Sequence, residues 1–191
     1  MEPLPRRPVI GVMGSGREPH RERAQHLGEW IARAGFHLLT GGGQGVMAAV
    51  TEAFVRVADR RGIAIGILPA AAGGSGGAAP AGYPNPWVEI AVRTHLDQVG
   101  TDGAGRASRN HLNVLSSDVV VVLPGAAGTA SEARLALRYG RPCIAWLAER
   151  ADVPGLPGEV PVESRFSAVE AFVRGACGRA GPDQGCGTGM R

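Results

Sequence analysis

The sequence contains no lysine, because all 20 of its Lys and Arg residues are arginine. A chain without lysine cannot form the Schiff base on which pyridoxal-phosphate enzymes depend. It also cannot build a Walker A loop, in which a lysine contacts the terminal phosphates of a nucleotide. Both classes of chemistry are therefore excluded for this chain.

Other features are scarce as well. Aromatic residues make up 5% of the chain, so Ala, Val, Leu and Ile must build most of the core. The three cysteines, Cys143, Cys177 and Cys186, lack CxxC spacing. We expect free thiols, a buried Cys143 and a reducing, cytoplasmic location. The five histidines show no metal-ligand spacing, so we expect neither a metal nor a resident cofactor.

Long apolar runs and charge blocks are also missing. No segment approaches the roughly 20 apolar residues that cross a membrane, and we expect no signal peptide and no membrane partner. The net charge is +3, without a block of five or six basic residues. This distribution argues against a nucleic-acid partner.

Glycine, by contrast, is abundant, with 30 residues, and apolar strand-like runs alternate with amphipathic helical segments. The pattern predicts one Rossmann-like α/β domain over 1–177, a doubly wound parallel sheet, with a flexible tail at 178–191. Residues 70–86 are predicted to form a loop. Strands are predicted at 8–13, 36–40, 63–68, 87–94, 118–123 and, as the last, 142–147; helices at 19–34, 44–60, 106–117 (with Leu112 and Leu115 inward), 129–139 and 166–177.

Three glycine-containing turns follow predicted strands: GSG at 14–16, GGGQG at 41–45 and GAAGT at 125–129. In a parallel sheet all three lie at the carboxyl edge, where open α/β sheets bind ligands. Each precedes a helix whose first amides are unpaired. These turns predict a phosphate or nucleotide site; the alternative is that the glycines only permit tight turns. The candidate binding residues are Gly14, Ser15, Gly41, Gly42, Gly43, Gly45, Gly125, Ala126, Gly128 and Thr129.

The first turn is not a dinucleotide fingerprint. GVMGSG has the spacing GxxGxG rather than GxGxxG, and the second strand ends in Thr40 and glycines instead of an acidic residue. No carboxylate is therefore placed to bind a ribose hydroxyl. This argues against an NAD-dependent dehydrogenase.

Arg109 and Glu132 are the candidates for charge-based chemistry. Glu132 lies one turn into the helix that follows GAAGT, near the same edge. Two interpretations of Glu132 stay open: a catalytic carboxylate, or the last residue of a capping box begun by Thr129. Arg109 is either a ligand-binding cation or part of a solvated helix face.

Two motifs resemble those of the Lonely Guy (LOG) family over roughly residues 8–147. GGGQGVM at 41–47 is similar to its GGGxxGxM motif, and PGAAGTASE at 124–132 to its PGGxGTxxE motif. The resemblance implies a Rossmann-like fold, a homodimer or tetramer, and often phosphoribohydrolase activity on nucleoside 5′-monophosphates. It also implies that Gly125, Gly128 and Thr129 hold a phosphate, and that Arg109 and Glu132 form the catalytic pair.

Two departures favour a sister branch. Ala126 replaces a glycine of the LOG motif, and Arg109-Asn110 with YPNPWVE at 83–89 resembles proteins that carry the molybdenum cofactor, a phosphorylated pterin. Because Arg109 and Glu132 are both retained, the sequence nevertheless predicts a phosphoribohydrolase that releases a base and ribose 5-phosphate. The alternative is a non-enzymatic carrier of a phosphorylated pterin or nucleotide. This family is often labelled lysine decarboxylase. That label conflicts with this sequence, which has no lysine residue to form the Schiff base of a pyridoxal-phosphate enzyme.

Overall fold

A computed structural model describes residues 6–71, 78–98 and 103–179. Part of the predicted loop, at 72–77, and the predicted tail beyond residue 179 lie outside the described residues. Cys186 lies there too, so its state stays a prediction.

The described residues form a seven-stranded sheet in the order β4-β3-β2-β1-β5-β6-β7. Every neighbouring pair is parallel. The chain builds outward from central β1, first toward β4 and then toward β7, so the predicted doubly wound fold is confirmed. The strands are β1 Val9–Met13, β2 His37–Thr40, β3 Ala64–Leu68, β4 Ile90–Arg93, β5 Val119–Val122, β6 Cys143–Trp146 and β7 Val162–Glu163.

Helices cover both faces of this sheet. Helices α1, α2 and α5 pack on one face, and α3 and α4 pack on the other. In β5, Val119 and Val121 belong to the first core, whereas Val120 and Val122 belong to the second. A run of four valines is what a strand buried on both faces requires. The helices are α1 Arg21–Arg33, α2 Val46–Val55, α3 Asn110–Leu115, α4 Ala127–Arg138 and α5 Phe166–Arg179.

Several predicted boundaries are wrong. β6 is not the last strand, because Val162–Glu163 pairs with it as β7. Helix α2 ends at Val55 rather than at residue 60, since the chain turns toward β3 through Asp59, whose φ is 57°. Helix α3 begins only at Asn110, because the residues before it pair with Gln98. The side chain of Gln98 accepts a hydrogen bond from the amide of Ala107, and the amide of Gln98 donates to the carbonyl of Ala107.

The predicted inward orientation of Leu112 and Leu115 is also wrong. Leu112 is 37% exposed and Leu115 is 42% exposed. The buried face of α3 instead contains Asn110, Asn113 and Val114. Cys143 is buried as predicted, and burial raises the pKa of its thiol to about 12. Among the residues that the structure describes, no helix has the length and apolarity needed to span a membrane.

Candidate functional site

A cleft of about 680 Å³ lies at the carboxyl edge of the sheet, above β1, β2 and β5. Its volume is within the range of small-molecule sites, about 300–1,000 Å³. Of the predicted site residues, the cleft brings together Gly14, Ser15, Gly41, Ala126, Gly128, Thr129, Arg109 and Glu132. It does not include Gly42, Gly43, Gly45 or Gly125 in its lining.

The turns at 14–16 and 125–129 contact each other. The amide of Ser15 donates to the carbonyl of Pro124 at 2.9 Å. A Cβ atom on Gly125 would lie 3.0 Å from the Ser15 nitrogen and would overlap the Thr129 hydroxyl. The Ser15 hydroxyl accepts the amides of Arg17 and Glu18, which fixes its own turn. Gly125 therefore allows the two turns to meet, and together they form one wall of the cleft.

Helix α4 begins at this wall. Its N-cap is Ala126, and no side chain caps it. The first helical hydrogen bond runs from the amide of Ala130 to the carbonyl of Ala126. The amides of 127–129 therefore precede the ladder and have no partner within the helix, as in any uncapped α-helix. The predicted capping box is wrong, because Thr129 lies within the first turn rather than at the N-cap.

The GGGQG turn is packed mainly against protein groups. Of its four glycines, Gly41 lines the cleft. A Cβ atom on Gly41 would overlap the guanidinium of Arg109, and one on Gly42 would overlap Leu68. The φ angles of Gly42 and Gly45 are 72° and 64°, a conformation that favours glycine. The contacts of this turn therefore fit the alternative interpretation, in which the glycines permit a tight turn and close packing.

Arg109 does not lie on a solvated helix face. It immediately precedes α3 and is 5% exposed, and its Nη1 donates to the carbonyl of Ile67 at 2.6 Å. Its guanidinium carbon lies 5.8 Å from the ring centroid of Tyr83. Burial lowers the pKa of Arg109, and nearby Glu132 and Tyr83 oppose that shift. Its Nε is buried and has no hydrogen-bond partner among the described residues.

Glu132 is buried near Arg109 but is held by a different residue. It is 8% exposed, and its Oε1 accepts a hydrogen bond from Asn113 Nδ2 at 2.9 Å. The ion pairs found within 4.0 Å in the described part of the chain do not join Glu132 to Arg109. Burial raises the pKa of Glu132, and Arg109 and Asn113 oppose this rise only in part. Ionisation of Glu132 is therefore less favourable in this site than in water.

Sequence reasoning missed three polar side chains that line the cleft, those of Arg17, Tyr83 and Asn110. Arg17 follows the first glycine turn directly, so its place could have been inferred from that turn. Tyr83 and Asn110 belong to motifs that mark a family branch, and neither directly follows a strand, so their positions in the chain do not predict a place in the cleft. In the described ranges, no group of three or more His, Cys, Asp or Glu side chains could hold a metal ion.

The fold and the cleft define a class: a Rossmann-like α/β protein with an open site at the carboxyl edge of its sheet. More specifically, the chain belongs to the SLOG cluster4 family, whose model matches residues 7–159. It is 30% identical over 134 residues to an uncharacterized protein of Archaeoglobus fulgidus, a match that covers 69% of this chain and 75% of that protein.

Two solved structures with similar folds are those of proteins that bind or carry the molybdenum cofactor. The molybdenum cofactor binding protein of the phototrophic bacterium Rippkaea orientalis is 31% identical, with a TM-score of 0.67, over 89% of this chain and 97% of that one. The Moco carrier protein of Chlamydomonas reinhardtii is 30% identical, with a TM-score of 0.68, over 91% of this chain and 99% of that one. The expected likeness to LOG-type and molybdenum-cofactor-carrier proteins is confirmed.

Proposed function

We propose that this protein binds a phosphorylated small molecule with a planar heterocycle and acts as a carrier of a phosphorylated pterin of the molybdenum-cofactor type. The observation that carries the proposal is the uncapped start of α4 in the wall of a 680 Å³ cleft. Helix N-termini bind phosphate because their free amides and the helix dipole both favour an anion. Arg17 adds a cationic side chain to the same cleft.

The surroundings of Glu132 favour carriage over bond cleavage. Cleavage of an N-glycosidic bond develops positive charge on the ribose ring, which an ionised carboxylate stabilises. Burial instead raises the pKa of Glu132, and Arg109 donates to the Ile67 carbonyl rather than to this carboxyl. The likeness to the two molybdenum-cofactor proteins, at 30–31% identity, supports the same choice.

Purification of the full chain tests this proposal. The protein is isolated from a host that makes the cofactor, then denatured and oxidised, and the released pterin is measured by fluorescence. We expect about one pterin per chain in the wild type and almost none in Ala126→Asp, which places a carboxylate at the proposed phosphate position. Absence of pterin, together with no binding of added phosphorylated pterin, would contradict the carrier function.

A phosphoribohydrolase is the second candidate function. It is favoured by the position of Glu132, which lines the cleft one turn into α4, next to the proposed phosphate position. In that reaction water adds to the anomeric carbon, and the base leaves and takes up a proton. Chromatography of a panel of nucleoside 5′-monophosphates after incubation measures the free base. Base release that Glu132→Gln abolishes, while nucleotide binding persists, would establish this activity instead.

We also propose that the chain forms a homo-oligomer through the exposed apolar side chains of α3 and α4. Leu112, Leu115 and Leu137 are each at least 37% exposed. Light scattering after size exclusion measures the mass. We expect Leu115→Arg to reduce it to one chain and Val92→Arg, on edge strand β4, to leave it unchanged.

A further inference from the structure

We infer that Tyr83 is the surface on which the planar ring of the ligand stacks. This inference rests on the proposed function, since it concerns the same cleft. Tyr83 is half-buried and belongs to the lining of that cleft. Among the described residues that line it, no other side chain is aromatic. Aromatic side chains bind planar heterocycles by stacking, whichever ring is presented.

Hydrogen bonds on both sides of Tyr83 fix its position. Before it, Gln44 Nε2 donates to the carbonyl of Gly82 at 2.8 Å. After it, buried Asn85 donates from its backbone amide to the Gly42 carbonyl at 2.7 Å and from Nδ2 to the Gly43 carbonyl at 2.9 Å. The segment that contains Tyr83 is therefore attached to the GGGQG turn. A ring held in place before the ligand arrives loses little conformational freedom on binding.

The contacts of the ring explain the last glycine of the GGG run. A Cβ atom on Gly43 would lie 2.7 Å from three atoms of the Tyr83 side chain, two in the ring and the hydroxyl oxygen. The guanidinium of Arg109 lies over the ring, with its carbon 5.8 Å from the ring centroid. Glycine at position 43 thus lets the ring lie against the turn. The ring is half-buried and, together with Arg109, lines the cleft.

The distance across the sheet suits a ligand with two unlike ends. The proposed phosphate position follows β5, and the turn that holds Tyr83 follows β2; β1 lies between them. Neighbouring strands are about 4.8 Å apart, so these positions are separated by about 10 Å. A phosphate bound at α4 therefore directs the rest of the molecule across the end of β1 toward Tyr83.

Binding measurements with matched probes test the inference on the full chain. The probes are AMP and 6-hydroxymethylpterin phosphate, which have a planar ring, and ribose 5-phosphate, which has none. We expect Tyr83→Leu to weaken binding of both ring-bearing probes about 5- to 150-fold, the range of one stacking contact, and to leave ribose 5-phosphate unchanged. Tyr83→Phe keeps the ring and should bind all three as the wild type does.

A neighbouring aromatic residue provides the control. Trp87 lies on the same segment but outside the cleft lining, so Trp87→Leu should change none of the three affinities. If Tyr83→Leu weakens all three probes equally, Tyr83 acts only by supporting Arg109 and the turn, and the inference is overturned. Unchanged binding of the ring-bearing probes by Tyr83→Leu would also overturn it. If the wild type binds none of the probes, the proposed function fails and the stacking role fails with it.

Discussion

The turns after β2 and β5 are both rich in glycine and lie at the same edge of the sheet, yet they differ in what surrounds their amides. At the GGGQG turn, a neighbouring carbonyl satisfies the first amide of the following helix. The amide of Val46, the first residue of α2, donates to the carbonyl of Ser15 at 2.8 Å. The glycines there are required because Arg109, Leu68 and Tyr83 lie against them.

At the GAAGT turn, the protein satisfies fewer of the amides at the start of the following helix. The Gly125 amide donates to the Asp152 carbonyl at 3.1 Å, but the amides of 127–129 follow an N-cap that has no side-chain oxygen. Natural helices usually place Ser, Thr, Asp or Asn at such a position. Neither Gly45 nor Ala126 caps its helix with a side chain. The two turns differ instead in whether a neighbouring carbonyl satisfies the first amide of the helix, and in how much of the turn lines the cleft.

The largest expected effect comes from supplying the missing cap. Ala126→Asp places a carboxylate where a phosphate would bind, so we expect at least about 100-fold weaker binding of phosphorylated ligands, because two anions compete for the same amides. The same carboxylate should stabilise the free protein by about 1 kcal/mol, which is about 2–4 °C in Tm for a chain of this size. Calorimetric titration and thermal unfolding measure the two effects.

Ala126→Asn is the matched control, since asparagine is similar in size to aspartate and also caps the helix but carries no charge. It should give a similar gain in Tm with a smaller loss of affinity. If Ala126→Asp bound phosphorylated ligands as tightly as the wild type, the start of α4 would not be the phosphate site, and the difference between the two turns would lose its functional meaning.

The second prediction concerns the GGGQG turn. Gly41→Ala introduces a methyl group into the space of the Arg109 guanidinium. Overpacking of this kind costs about 1–3 kcal/mol of folding free energy, so a lower denaturation midpoint is expected. Gly158→Ala is the control, because nothing lies within 4 Å of its added Cβ, and its stability should change by less than about 0.5 kcal/mol. Equal midpoints for the two variants would show that the turn tolerates a side chain.

Much of this fold follows from local sequence patterns. The valine run of β5 can only be covered on both faces, and the position of each glycine turn follows from the strand before it. The sequence also indicates which edge of the sheet holds the site. These features depend on periodicity and on chain order, which are visible in any single sequence.

The remaining features depend on contacts between distant segments. Whether Arg109 is buried depends on a carbonyl 42 residues away, at Ile67. Tyr83 enters the cleft because Asn85 binds the glycine turn, a contact that no periodicity reveals. Leu112 and Leu115 lie on the exposed face of α3, because the other face carries Asn113, which bonds to Glu132. Burial of polar side chains in this cleft therefore reverses the expectation that apolar residues face inward.

The smallest expected effect concerns the pH dependence of stability at Glu132. Burial raises the pKa of this carboxyl above its ordinary value of 4.5. The folded protein therefore holds a proton that the unfolded chain has lost, and the contribution of Glu132 to stability falls as pH rises from 4.5 through the raised pKa. Glu132→Gln keeps an acceptor for Asn113 and removes the ionisation. Its Tm relative to the wild type should therefore rise between pH 4.5 and pH 8.

Glu29 provides a control of opposite sign. Hydrogen bonding from Gln25 lowers the pKa of Glu29, so its contribution is present above the ordinary value and is lost as pH falls. Glu29→Gln should therefore lose Tm relative to the wild type as pH rises, by a small amount because Glu29 is partly exposed. Thermal unfolding of both variants in one buffer series compares the two slopes. A flat difference for Glu132→Gln would mean that folding does not raise the pKa of Glu132. The electrostatic argument for carriage would then fail, whereas the comparison between the two turns would stand, because it depends on amides that do not titrate.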